Sequence, residues 1–347
     1  MRSNTLVHPF IRKTRARPVD MKRRPSLRQP DVARARLEPL RALQLAELAR
    51  VLGPRTTIVR VRRLSGGLAS WVHALDVRTP SGPRRVVLRR YRARLFDTSE
   101  RAEREWKILT LLSATGLPTP EPLWFDRGAL FGLPAMLLTR LPGRPVVDPP
   151  DPISWAAMLA VELARIHALP REQFESIGAG ESWQQLPFAN VQRDSELFTA
   201  AGLDGQAVIA AIERGYDALR QASRSFVHFD YWPGNILWLR HRISGIVDWT
   251  NAAMGYAEYD AAYCYLDLCL SRDERVAGAF LERYRNVSGV TVEPLWFWSL
   301  VVAKRAAPDP ALWLQPYREL GRTDLTSRGM RQRFHSFVRA ALRGASG

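Results

Sequence analysis

Residues 228–235 read HFDYWPGN, and residues 245–249 read GIVDW. The first stretch places Asp230 and Asn235 five residues apart, and the second adds Asp248 thirteen residues after the asparagine. The apolar runs NILWL and ISGIVDW flank the turn-like RHR, which predicts a β-hairpin. Thirteen residues are about what a hairpin needs to return the chain to its start. We therefore expect the aspartate of GIVDW to lie beside the asparagine of HFDYWPGN.

This predicted convergence suits phosphoryl transfer. Mg²⁺ takes hard oxygen ligands, typically one or two protein carboxylates together with phosphate oxygens and water. Asn235 and Asp248 supply such oxygens. Asp230, in the same loop, would lie on the other side of a metal-bound phosphate and accept a proton from an attacking hydroxyl. The alternative for Asp230 is a turn or helix-capping aspartate.

The organisation of the chain agrees with a cleft enzyme of the α+β class. Its 347 residues, 46% of them hydrophobic, allow about two domains or lobes. We predict a β-rich lobe over residues 37–140 and a mostly helical lobe over 141–347. The boundary follows from β-branched runs separated by glycine turns in the first part and helical apolar spacing in the second. Ligands favour the cleft between two such lobes.

The N-terminal 36 residues are strongly basic. They contain eleven Lys or Arg and two Asp, so they carry +9 of the net charge of +17. A segment this rich in Arg and Pro buries too little apolar area to offset its ordering entropy, and we predict a disordered tail. It could bind nucleic acid or anionic lipid, but no nucleic-acid-reading module accompanies it. Alternatively, the natural start is Met21.

No segment predicts a membrane protein. The most apolar run near the C-terminus, LWFWSLVVA (295–303), has nine residues, whereas a membrane span needs about 20. The N-terminus is charged and lacks the apolar block of a secretory signal. The two cysteines, Cys264 and Cys269, have the spacing of neither a disulfide framework nor a zinc site. We expect buried, reduced thiols in a cytoplasmic protein.

The catalytic-loop stretch and the strand after it resemble the aminoglycoside phosphotransferase family, small-molecule kinases with a protein-kinase-like fold. That family's loop has the pattern H-x-D-x-x-x-x-N, followed by an apolar strand ending in I-D-W or V-D-W. The resemblance spans about residues 60–265. It implies that the lobe over residues 37–140 binds ATP and that the lobe over 141–347 carries catalysis and the substrate site. It implies that Asp230 is the catalytic base, that Asn235 and Asp248 bind Mg²⁺, and that His228 shapes the loop.

Further motifs follow in the family's order. LSGGLAS, with Gly66 and Gly67, is similar to the glycine-rich loop over the ATP phosphates. In VVLRRY, Arg89 occupies the place of the lysine that contacts the α- and β-phosphates. Glu105, in EREWKILTLL, is at the place of the helix glutamate that orients this cation. LLTRLPG resembles the hinge that holds adenine, and Asp260 in GYAEYDAAY matches a structural aspartate.

Two assignments remain open between sequence neighbours. A slip of one residue in a strand exchanges its faces, so Arg90 rather than Arg89 could face the nucleotide. Glu103 competes in the same way with Glu105. The two glycines of LSGGLAS could also form an ordinary hairpin turn.

The resemblance implies a small hydroxyl compound as the acceptor, because members of the family phosphorylate aminoglycosides, macrolides, choline and homoserine. Phe229 and Tyr256 depart from the family's pattern on the substrate side, and Trp232 could line an acceptor pocket. A cationic acceptor would need carboxylates. The candidates are Glu258, Asp267, Asp273 and Glu274. A kinase-like scaffold that only binds nucleotide is the alternative function.

Overall fold

The computed structural model describes residues 40–64, 70–92, 98–177, 191–222, 224–307 and 309–347. Two predictions lie outside these residues. They are the disordered tail and the role of Gly66 and Gly67 over the phosphates.

An antiparallel sheet forms the first part of the described chain. Its strand order is β1–β2–β3–β5–β4. The strands are β1 (Thr57–Leu64), β2 (Ser70–Thr79), β3 (Gly82–Tyr91), β4 (Pro122–Asp126) and β5 (Ala135–Thr139). Arg89 pairs with Val72 on one side and with Met136 on the other, so these three side chains share one face. Helix α1 (Ala42–Val51) precedes this sheet, and α2 (Thr98–Leu112) lies between β3 and β4.

The second part is mostly helical. Its helices are α3 (Pro152–His167), α4 (Val191–Ala200), α5 (Gly205–Arg214), α6 (Ala218–Gln221), α7 (Ala257–Ser271), α8 (Glu274–Ser288), α9 (Leu295–Ala303), α10 (Leu314–Glu319) and α11 (Ser327–Gly344). Short strands complete it: β6 (Arg144–Pro145), β7 (Arg224–Val227), β8 (Ile236–Leu239), β9 (Arg242–Ile246) and β10 (Ala253–Tyr256). Strands β6, β8 and β9 form one small sheet, and β7 pairs with β10 in another. A β-rich first part and a helical second part make this an α+β fold, as the sequence predicts.

The apolar run LWFWSLVVA is a core helix. Seven of the nine residues of α9 are buried, and α9 packs against α7 and α11. Along the described chain, no helix is both long enough and apolar enough to cross a membrane.

Tertiary surroundings explain the bounds of two elements. Strand β4 begins at Pro122, whose imino nitrogen cannot donate, and it lies at the edge of the sheet where no donor is needed. Helices α5 and α6 are separated at Gly215, where a Cβ would lie 2.5 Å from the rings of Trp296 and Phe297. The close packing of α9 therefore sets the end of α5.

Candidate active site

The loop between β7 and β8 is held in place by Asp260 of α7. The backbone nitrogens of His228 and Phe229 donate to the Asp260 carboxylate at 2.6 and 2.8 Å. Asp260 is fully buried, and Phe229 adopts a left-handed backbone with φ of 60°. This conformation is costly for a residue with a side chain, so the two hydrogen bonds offset a real strain. The structural role predicted for Asp260 is confirmed.

Two buried histidines support the same loop. His228 is fully buried, and its Nε2 lies 3.1 Å from the carbonyl oxygen of Val247. His167 is buried between Asp260 at 3.3 Å and Tyr284 at 2.6 Å. Both histidines therefore shape the loop and its supporting helix.

The hairpin brings the predicted side chains together. The amide nitrogen of Val247 donates to the carbonyl oxygen of Asn235 at 2.9 Å, which joins the two ends of the β8–β9 hairpin. Asn235 Nδ2 donates to the backbone oxygen of Asp230 at 2.9 Å and to its Oδ2 at 3.3 Å. Asp248 directly follows Val247. Asp230, Asn235 and Asp248 therefore occupy one neighbourhood.

Gly234 makes the turn of this loop possible. A Cβ at this position would lie 2.1 Å from the indole ring of Trp232, which folds back over the glycine. The other edge of the indole packs against Tyr317, with the ring centroids 5.3 Å apart. The Pro-Gly pair in HFDYWPGN thus lets Trp232 cover its own loop.

Asp248 is partly exposed and adopts a left-handed backbone, with φ of 65° and ψ of 62°. Its Oδ1 accepts a hydrogen bond from Arg89 Nη2 at 2.8 Å. Burial opposes ionisation of this carboxyl. The charge and hydrogen bond of Arg89, with a hydrogen bond from Thr250, outweigh it and lower the pKa of Asp248 to about 2. The side chain is therefore a carboxylate at neutral pH, as a metal ligand must be.

The structure decides between Arg89 and Arg90. Arg89 Nη1 lies 2.8 Å from Glu105 Oε1, and the two side chains are 8% and 1% exposed. Arg90 instead lies over the rings of Trp71 and Phe131 on the other face of the sheet. Arg89, and not Arg90, thus reaches the hairpin that carries the loop.

The helix glutamates separate in the same way. Glu103 forms an exposed pair with Arg127 at 2.8 Å. Glu105 is buried, and burial raises its pKa against the opposing charge of Arg89. The Tyr91 hydroxyl donates to its second oxygen at 2.5 Å. The buried Glu105 therefore has both a cation, Arg89, and a hydroxyl donor, Tyr91, as partners in the core.

Thr250 is a member of this network that the sequence reasoning missed. Its hydroxyl lies 2.7 Å from Asp248 Oδ1 and 2.9 Å from Glu105 Oε2, and it accepts from Arg89 Nη2 at 2.8 Å. One hydroxyl proton can serve only one of the two carboxylates at a time. Thr250 follows Asp248 by two residues in VDWTN, and that proximity was the available signal.

Tyr263 and Arg305 were missed as well. Both donate to Asp230 Oδ1, at 3.0 and 3.1 Å. Tyr263 lies on α7, and Arg305 lies just beyond the end of α9. No local motif connects either residue with the HFDYWPGN loop.

The donor set fits one divalent ion. The described hydrogen bonds of Asp248 all go to Oδ1, and those of the Asn235 side chain all come from Nδ2. Asp248 Oδ2 and Asn235 Oδ1 are thus the oxygens left for a ligand. A cluster of three or more His, Cys, Asp or Glu able to hold a metal does not occur among the described residues. Two protein oxygens with phosphate and water are the usual set for Mg²⁺.

Comparison with known proteins decides the family. Residues 60–295 match the sequence model of the phosphotransferase enzyme family, APH. The chain belongs to this family. It is a phosphotransferase of the group of ATP-dependent kinases that phosphorylate hydroxyls of small molecules. The matched residues include the HFDYWPGN loop, the hairpin and the Arg89–Glu105 pair, but they end before Arg305.

Curated relatives in this family include two homoserine kinases. The enzyme of Methylobacillus flagellatus is 28% identical over 221 residues, which are 60% of this chain and 67% of the relative. The enzyme of Methylobacillus glycogenes is 29% identical over 245 residues, which are 67% of this chain and 73% of the relative.

Solved structures show the same protein-kinase-like fold. A thermostable mutant of aminoglycoside phosphotransferase APH(4)-Ia, in complex with ADP and hygromycin B, superposes with a TM-score of 0.57 at 17% identity, covering 84% of this chain and 96% of that one. Macrolide 2'-phosphotransferase MphH from Brachybacterium faecium gives 0.52 at 19% identity, covering 86% and 97%.

Proposed function

We propose that this chain moves the γ-phosphoryl group of ATP to a hydroxyl of a small, amine-bearing compound, with Asp230 as the catalytic base. The observation that carries this proposal is the convergence of Asp230 with Asn235 and Asp248, beside the buried Arg89–Glu105 pair. Catalysis of this kind depends mainly on positioning and on neutralising charge.

Each side chain has a proposed role in that transfer. The hydroxyl oxygen of the acceptor bonds to the γ-phosphorus while the bond from the γ-phosphorus to the ADP oxygen breaks. Asp230 Oδ2 accepts the proton of that hydroxyl. Asn235 and Asp248 would hold Mg²⁺, which supplies charge neutralisation on the phosphate oxygens when bound. Arg89, oriented by Glu105, contacts the phosphates. The covering role of Gly66 and Gly67 stays a prediction, as does the division into lobes at residue 140.

One carboxylate supports an amine on the acceptor. Of the four candidates, Asp273 caps α8 through the Val276 nitrogen at 2.9 Å. Asp267, by contrast, lies on α7 one turn after Tyr263, which donates to Asp230. Asp267 is 2% exposed and accepts from the Tyr317 hydroxyl. An ammonium group would give this carboxyl the positive partner that the described residues around it do not supply.

The titration of Asp267 gives a test of its environment. Burial raises its pKa to about 7, the Tyr317 hydrogen bond opposes this, and the charge of Asp230 adds to it. A carboxyl whose pKa is raised in the folded state contributes its full stability when the pH is below the pKa of the unfolded chain, near 3.8 for Asp267. The free energy of unfolding then decreases as the pH rises toward 7. This cost amounts to about 4 kcal/mol once the pH exceeds 7. Asp267→Asn mimics the neutral acid and should abolish it.

The measurement is urea unfolding at about pH 4.5 and about pH 7.5. From the lower to the higher pH, the free energy of unfolding of Asp267→Asn should increase relative to that of the wild type. An exposed control, Asp204→Asn at the cap of α5, should leave the difference unchanged, because asparagine also caps helices. If Asp267→Asn and the wild type show the same pH dependence of stability, the raised pKa of the buried Asp267 carboxyl is contradicted.

The function is tested by a mass-spectrometric product screen with Mg-ATP and a library of hydroxyl compounds. L-homoserine and 4-hydroxybutanoate form a matched pair, because they differ by the amine. We expect a phosphorylated product with ADP in equal amount, and preference for the amine-bearing member. Binding of Mg-ATP with neither product nor ADP would instead favour a nucleotide-binding module.

We also place the enzyme in the cytoplasm, where ATP is available. Its described cysteines, Cys264 and Cys269, are buried free thiols, which agrees with a reducing compartment.

A further inference from the structure

The two oxygens of the Asp230 carboxylate are used unequally. Oδ1 accepts from the Tyr263 hydroxyl at 3.0 Å and from Arg305 Nη2 at 3.1 Å. Oδ2 receives only Asn235 Nδ2 among the described residues, at 3.3 Å, which is beyond the usual range for a good N–H···O bond. Oδ2 therefore has acceptor capacity to spare, and Oδ1 does not.

Arg305 is built into this arrangement through several contacts, one of which is a hydrogen bond with the Tyr259 side chain. Besides Asp230, its Nη1 donates to the carbonyl oxygen of Phe229, the residue before Asp230. Its guanidinium lies 4.3 Å from the centroid of the Tyr263 ring, and the side chain is 14% exposed. A planar fork can hold a backbone carbonyl and a carboxylate at once, and the single ammonium of a lysine cannot reproduce that geometry.

We propose that Arg305 is a positioning residue of the phosphoryl transfer: it fixes Asp230 through Oδ1, so that Oδ2 faces the acceptor hydroxyl. This inference rests on the proposed function, because it requires Asp230 to be the base. Arg305 exchanges no proton. The acceptor proton passes to Oδ2, and the guanidinium keeps all of its own.

The nature of phosphoryl transfer explains why the orientation of the base matters. The transition state is loose, with little bond formation to the attacking oxygen, so the base contributes more by orienting the hydroxyl than by removing its proton early. Fixing the orientation of the Asp230 carboxylate is therefore the contribution that Arg305 makes.

The experiment compares Arg305→Ala and Arg305→Lys in the product assay under saturating and limiting Mg-ATP. We expect kcat to fall about 100-fold in Arg305→Ala, the cost of a reacting group displaced by about an ångström. The KM for Mg-ATP should change little, because Arg305 contacts the loop on the acceptor side. Arg305→Lys should recover only a small part of the rate. Added guanidinium ion should raise the kcat of Arg305→Ala and leave the kcat of the wild type unchanged.

The matched control is Arg165→Ala. Arg165 also contacts a carboxylate, Glu162 at 2.9 Å, and a backbone carbonyl, Gly116 at 3.3 Å, but it lies away from Asp230. It should keep the wild-type kcat. Should Arg305→Ala fail to fold, Tyr263→Phe removes the other donor to Oδ1 while retaining the ring. We expect a smaller loss in kcat, again without a change in the KM for Mg-ATP.

The outcomes separate this inference from the function on which it rests. A wild type that transfers phosphate to no acceptor contradicts the proposed function. Arg305→Ala with nearly wild-type kcat, or a folded variant whose lost rate guanidinium does not restore, contradicts the positioning role. A crystal structure of Arg305→Ala decides independently of turnover: a rotated Asp230 carboxylate supports the role, and an unmoved one overturns it.

Discussion

Asp230→Asn is expected to lose transfer to the acceptor almost completely. A general base typically accelerates a reaction by about 10²- to 10⁴-fold, so kcat should decrease by a factor in that range. Asparagine has nearly the same shape, so its carbonyl oxygen can keep the hydrogen bonds from Tyr263 and Arg305 at the Oδ1 position. Its amide group then replaces Oδ2. An amide cannot take the acceptor's proton, and it meets another amide at Asn235.

Nucleotide binding should survive this substitution. Asp230 does not contact Arg89, Glu105 or Asp248 through any described hydrogen bond, so the affinity for Mg-ATP, measured by calorimetry, should stay close to wild type. Asp204→Asn, the same change at an exposed helix cap, serves as the control with unchanged kcat. A kcat of Asp230→Asn within about tenfold of wild type would refute the role of Asp230, since a general base contributes more than that.

The part of the site that the sequence predicted is the part built by local chain geometry. Asp230, Asn235 and Asp248 span nineteen residues, and one hairpin with a two-residue turn closes that distance. Local periodicity also gives the alternation of faces in strands and helices. It does not say which face points inward, so the choices of Arg89 over Arg90 and of Glu105 over Glu103 needed the structure.

The sequence did not predict Arg305 and Tyr263, because their contacts with Asp230 do not follow from the periodicity of a helix or strand. Arg305 is 75 residues from Asp230 in sequence, and it arrives there because the apolar helix α9 packs against α7. Tyr263 reaches Asp230 from α7 itself, across 33 residues. Helix packing decides these contacts, and a single sequence gives no measure of which helices meet.

The buried pair Arg89–Glu105 gives the largest expected loss of stability. In Arg89→Met, Glu105 keeps the hydroxyls of Tyr91 and Thr250 but loses its cation, while it remains 1% exposed. Removing one partner of a buried ion pair costs about 3–5 kcal/mol of unfolding free energy. Arg127→Met, which breaks the exposed pair with Glu103 on the same helix, should cost less than about 1 kcal/mol.

The pH dependence of Arg89→Met has a definite sign. Burial already raises the pKa of Glu105, and Arg89 opposes this, so removing Arg89 raises it further. A carboxyl with a raised pKa in the folded state favours folding while it is protonated and loses that contribution as pH rises. The deficit of Arg89→Met relative to wild type should therefore be larger at about pH 7.5 than at about pH 4.5. A deficit that grows toward acid pH would contradict this account.

A double-mutant cycle then separates an unpaired charge from lost packing. Arg89→Met/Glu105→Leu replaces both charges with apolar groups, and such replacements of buried pairs are often neutral or stabilising. We expect the double variant to unfold at higher urea than Arg89→Met and to lose the pH dependence, yet to remain impaired in Mg-ATP binding. Recovery of stability without recovery of binding would mean that the pair is retained for the nucleotide rather than for the fold. A double variant no more stable than Arg89→Met would show that the cost lies in the missing guanidinium itself, in its contacts to Asp248 and Thr250.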